Sequence, residues 1–168
     1  AALFVVHADN KDGTKLDYKP ASARNLELMK RGNPNDLGDS VPRGFLGAFG
    51  GRNFKSGAGR LELAQALVDD ARPLTARVIV NRVCKYHFGR GLVDTPSEFG
   101  NLGEAPTHPE LLDYLAATLV EQGWHLKPLH RLLVTSATYR QSALEPASEM
   151  ARNTDPDNRF LWRMNVTR

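Results

Sequence analysis

The chain has 168 residues, 41% hydrophobic and 24% charged, the make-up of one folded domain and unlike that of a disordered tail. Its formal charge of +3 is thinly spread, with 13 Lys/Arg against 9 Asp/Glu in residues 1–84 and 9 against 10 in residues 85–168, so neither half advertises nucleic acid or an anionic membrane. A single cysteine, Cys84, excludes an internal disulfide and a thiolate zinc cluster, and no apolar run approaches the roughly 20 residues of a transmembrane helix.

The amino end opens Ala1-Ala2-Leu3-Phe4, without methionine and without the basic-then-apolar plan of a signal peptide, which reads as a fragment or a processed piece. Residues 1–30 are β-prone. Leu3-Phe4-Val5-Val6 predicts a strand, Asn10-Lys11-Asp12-Gly13 a turn, and Lys15 to Tyr18 a second strand before Pro20. Residues 31–59 form a long irregular connection rich in Gly, Pro and Asn, with Val41, Phe45, Leu46 and Phe49 as apolar anchors and room for a short helical turn.

A helical body follows over residues 60–168. The first helix, residues 60–69, sets Leu61, Ala64, Leu67 and Val68 on one stripe. The second runs from Pro73 to about Phe88, with Ala76, Ile79, Val80, Val83 and His87 on one face, Arg77, Asn81 and Lys85 in a polar row, and Gly89 as its stop. Thr107 and Glu110 have the spacing of a capping box before a third helix that buries Leu112, Leu115, Ala116 and Leu119, ends at Gly123 and folds Trp124 back. A fourth helix, residues 127–137, buries Leu129, Leu132 and Leu133; after a turn at 155–158, residues 159–164 suggest another. The fold class is therefore mainly α, a small helical bundle with a short N-terminal β-hairpin.

Candidate chemistry gathers in residues 87–108. His87, Asp94, Glu98 and His108 are the acid–base candidates, with Arg90, Ser97 and Glu104 beside them, and Arg90, Tyr139, Arg140 and Gln141 are candidate binding residues. Each has a structural reading that leads. Asp94, Thr95 and Ser97 form turns and caps around Pro96, Arg90 can bond the last carbonyls of its helix, and His87 suits a helix C-terminus. No metal site is assigned, because no two histidines stand four apart; a mixed set of His87, Asp94, Glu98 and His108 is the nearest arrangement. Cys84, on an apolar helix face, reads as a buried small hydrophobe.

The stretches RGNPNDLGDSVPRGF, GAGRLELAQAL, RPLTARVIVNRVCKYHFGRGLVDTPSEFGNLGEAPTHPELLDYLA, GWHLKPLHRLLVTSATYRQSA and DPDNRFLWRMN together resemble a planctomycete-type domain of unknown function, from about Arg31 to Arg168. The resemblance implies a place near the C-terminus of large exported proteins that often carry a cytochrome c-like module. Two departures stand out. Cys84 replaces the family's usual tryptophan, leaving a smaller group where an aromatic would pack, and His125 replaces a usual capping serine. The family pattern also continues past Met164. No activity comes with it. The expectation is a non-catalytic accessory or interaction domain, exported, partnered by other domains of its parent, with no cofactor in this chain and haem c elsewhere in the parent; the alternative is a hydrolase using the 87–108 residues, with or without a metal.

Overall fold

The computed structural model describes residues 25–55, 58–144 and 149–165, together with the backbone of Ala8–Asp9 and Asp17–Tyr18. The protein is mainly helical with a short N-terminal β-hairpin, as the sequence pattern predicts. It divides into two compact units, Ala1–Arg72 and Pro73–Arg168.

In the first unit, β1 (Ala8–Asp9) pairs antiparallel with β2 (Asp17–Tyr18), Ala8 opposite Tyr18. The predicted strand at Leu3 to Val6 and the turn at 10–13 lie outside the described residues. A second hairpin, unforeseen, joins β3 (Leu26–Met29) to β4 (Leu37–Val41), so part of the 31–59 connection is a strand. Its turn is made by Arg31 and Gly32 at φ 51° and 76° and by Asn33, whose side chain accepts the Asn35 N–H at 3.0 Å. The predicted helical turn is a 3-10 turn at Gly47–Phe49, where the half-buried rings of Phe45 and Phe49 stand 5.7 Å apart. Val41 and Leu46, expected as anchors, are exposed. The same correction holds for α1 (Arg60–Val68): Leu61 is 73% exposed, the helix buries Ala66, and Ala71 is buried just beyond its end.

The second unit holds the main core. On α2 (Arg72–Phe88), Ala76, Val80, Val83, Cys84 and Phe88 are buried, and Gly89 at φ 76° stops the helix. Asn81, expected in a polar row with Arg77 and Lys85, is fully buried, because its amide serves a backbone rather than the solvent. On α3 (Pro109–Glu121) Leu112, Leu115, Ala116 and Leu119 are buried as their spacing predicts. Pro109 presets the first helical φ. The capping box does not form: the residue before the helix is His108, and the Thr107 hydroxyl and N–H both go to the Leu92 carbonyl. Gly123 and Trp124, at φ 66° and 65°, reverse the chain, and Trp124 packs on the core.

α4 (Leu126–Val134) buries Leu129 and Leu133, while Leu132 stays exposed. It ends before residue 137 because hydroxyls take its last carbonyls: Thr135 Oγ1 donates to Arg131 O at 2.8 Å and Ser136 Oγ to Leu133 O at 2.6 Å. Each buried leucine of α3 and α4 contributes about 1.5–3 kcal/mol, so these helices hold much of the unit together. The short α5 (Glu149–Thr154) was not foreseen, and residues 159–164, expected to be helical, are not. There the Asp155 carboxylate accepts the N–H groups of Arg159 and Phe160 at 2.8 Å each, and Asn158 and Leu161 adopt φ 53°. Such a chain folds into successive turns. Asn165 then donates to the Phe88 carbonyl at 2.8 Å, fastening this segment to the end of α2.

Candidate functional site

The connection after α2 is built on one side chain. Asn81 Oδ1 accepts the Val93 N–H at 2.8 Å, and Asn81 Nδ2 donates to the Val93 carbonyl at 2.9 Å. Gly91 lies against this amide: a Cβ there would stand 2.6 Å from Asn81 Oδ1 and 2.7 Å from Val93 O, closer than such atoms approach. Leu92 and Val93 are thereby held in the core. The Leu92 carbonyl accepts the Thr107 N–H at 2.9 Å, so the two ends of the connection meet. Between them the Thr95 hydroxyl donates to Glu98 O and accepts from Glu104 N–H, each at 3.0 Å.

The four acid–base candidates are distributed over this frame, and among the described residues no hydrogen bond or ion pair joins any two of them. Asp94 is paired with Arg90 at 2.6 Å, and Arg90 also reaches the Asp157 carbonyl at 3.4 Å. Arg90 therefore does not cap its own helix. Glu98 is exposed. His108 Nδ1 lies 3.0 Å from the Thr107 hydroxyl, and the ring meets Phe160 edge-on. His87, on the last turn of α2, has its Nδ1 at 2.8 Å from the Val83 carbonyl. Of the binding candidates, Arg140 and Gln141 are exposed, and Tyr139 sets its ring edge-on to Phe88 and His87.

The partner of His87 is His130, which is not among the residues singled out from the sequence. His130 Nδ1 lies 3.2 Å from His87 Nε2, the ring centroids are 4.9 Å apart and the planes tilt by 32°. A signal existed. His130 shares the stripe of Leu129 and Leu133 on α4 as His87 shares that of Val80 and Val83 on α2, so each histidine extends a core-facing row.

The second unit also has a cavity of about 210 Å³. Phe88, Leu92, Leu115, Leu133 and Leu161 give it apolar walls, the more exposed Leu111 and Leu132 lie among its lining, and Arg90, Ser136 and Arg159 are among its polar residues. Cys84 is in its wall. Burial pushes the thiol up to about 11, which favours its protonated form. Among the described residues no three His, Cys, Asp or Glu side chains gather as metal ligands, and no helix is long and apolar enough to cross a membrane.

Fold and site together define a mainly helical domain whose polar connection is pinned to α2, with an apolar pocket and a pair of touching imidazoles. The chain belongs to the family PSD1, described as a protein of unknown function (DUF1553), whose model matches residues 59–168. The match begins at α1, later than the Arg31 at which the resemblance was placed. No curated protein and no solved structure matches the chain.

Proposed function

We propose that this is a non-catalytic accessory domain, an interaction module of a larger exported protein, whose partner is another domain of the same parent. The observation that carries the reading is the pocket, with its apolar walls and with Arg90 and Arg159 among its lining residues. Each of these arginines is paired with a carboxylate, Arg90 with Asp94 and Arg159 with Glu104, so the lining combines apolar surface with two basic residues already held in place. An apolar side chain flanked by a carboxylate fits that chemistry. The exported parent and its cytochrome c-like module rest on the family resemblance; with one cysteine, this chain has no Cys-x-x-Cys-His motif to attach haem. The hydrolase alternative pairs Asp94 or Glu98 with His87 or His108, whereas Asp94, His87 and His108 bond to Arg90, the Val83 carbonyl and Thr107.

Isothermal titration of the 168-residue chain with each other domain of its parent tests the reading. One domain is expected to bind one-to-one, and Leu132→Arg in the pocket lining to weaken that binding at least about tenfold while the helical circular dichroism is kept. Turnover of a polysaccharide, sulfate ester or phosphoester by the chain, abolished by Asp94→Asn, would overturn it.

A further inference from the structure

We propose that His87 and His130 form a two-histidine site for a divalent transition-metal ion, zinc(II) or copper(II), with the remaining coordination positions open to water or an outside donor. Two bonds of about 2.0–2.1 Å to one ion set the donor nitrogens roughly 2.9 Å apart at a right angle and roughly 3.3 Å apart at the tetrahedral angle. His87 Nε2 and His130 Nδ1 are 3.2 Å apart, between those limits and at the long end for a hydrogen bond.

The tautomer is set on one side already. The Val83 carbonyl can only accept, so His87 Nδ1 carries the proton and Nε2 the lone pair. A carbonyl that orients the far nitrogen of a ligating imidazole is the usual outer support of a metal site. Without metal, His130 Nδ1–H donates to His87 Nε2. With metal, that proton resides on His130 Nε2, both imidazoles stay neutral, and both lone pairs face the ion. The histidines sit on α2 and α4, beside buried Val83, Leu129 and Leu133, so their backbones are fixed by core packing before any ion arrives. Both rings are half-buried, which leaves a way in from solvent.

Among the described residues no third His, Cys, Asp or Glu joins them. The protein therefore supplies two neutral donors and no compensating charge, a site that keeps exchangeable positions and favours an anionic outside ligand. Copper(II) should bind more tightly than zinc(II), as for any nitrogen-donor site.

Titration of the whole chain with zinc chloride and, separately, with copper(II) sulfate tests this. One equivalent should bind, with the copper(II) paramagnetic resonance spectrum showing two coupled nitrogens. His130→Gln removes one imidazole, and His87→Gln removes the other ligand. Each should lower zinc affinity at least about tenfold and remove one nitrogen from the copper spectrum. His130→Gln, checked for an unchanged helical circular dichroism, decides alone should His87→Gln fail to fold. Wild-type and His130→Gln chains that bind both metals alike, through histidines elsewhere, would overturn the proposal, and so would no binding at all.

Discussion

Asn81 treats Val93 as a neighbouring strand would: its side-chain amide gives one hydrogen bond to the Val93 carbonyl and takes one from the Val93 N–H, at zero solvent exposure. Asparagine has no helical merit in the middle of α2. Its place follows from the connection it holds, since both polar groups of Val93 lie away from water and need partners. Asn81→Leu strands both and should cost about 3 kcal/mol in urea unfolding, from 1–3 kcal/mol for each buried group left unpaired. Asn81→Asp should be nearly as damaging, because a carboxylate oxygen would then face the Val93 carbonyl. Gly91→Ala should destabilise by the separate route of steric overlap with the same amide. Midpoints within error of wild type for Asn81→Leu would show that this clamp does not hold the connection.

That clamp also marks where sequence reading stops. The buried faces of α3 and the stop of α2 at Gly89 were legible, because a periodic row of Leu112, Leu115, Ala116 and Leu119 and a glycine at a positive φ carry their own local physics. Asn81 was not, since its hydrogen-bonding type places it equally well in water, and only a partner twelve residues away decides otherwise. Thr107 likewise has the spacing of a cap, but the Leu92 carbonyl claims its hydroxyl. The helix expected at 159–164 fails for the same reason, with Asp155 offering its carboxylate to two backbone N–H groups and so favouring turns. The His87–His130 meeting, 43 residues apart, depends on how α2 and α4 pack, which neither helix records alone.

Arg77 and Asp113 tie α2 to α3 through a contact of 2.6 Å. The hydrogen bond from the guanidinium holds the Asp113 carboxyl below its ordinary 3.8 and raises Arg77 in turn. A carboxyl whose folded value is depressed stabilises the fold above its unfolded value, and that contribution disappears as pH falls through the folded one. The pair is solvent-exposed, so its effect on stability is small and salt-sensitive. Titration followed by carboxyl carbon resonances should place Asp113 below the other exposed aspartates, and Arg77→Ala should return it to the ordinary range. An Asp113 that titrates identically in both chains would refute the pairing.

Cys84 joins the pocket to the pH dependence of the fold. Burial moves its thiol from 9.0 to about 11 because the apolar wall disfavours the thiolate. A native value above the unfolded one means that the folded chain keeps a proton that the unfolded chain releases. This contribution is complete below about pH 9, declines as pH rises, and is gone by about pH 11, with a size on the order of 2 kcal/mol. Cys84→Met has no thiol to ionise, and its longer side chain extends into the cavity of about 210 Å³. Relative to wild type it should be more stable at pH 7 by about 0.5–1 kcal/mol, from tens of Å³ of cavity filled at roughly 24 cal/mol per Å³, and its advantage should widen between pH 9 and 11. Denaturant midpoints for the two chains at pH 7, 9 and 10.5 read both effects. An unchanged difference across that range would place the thiol in contact with water, and wild-type Cys84 would then react with a disulfide reagent at pH 8 without prior unfolding.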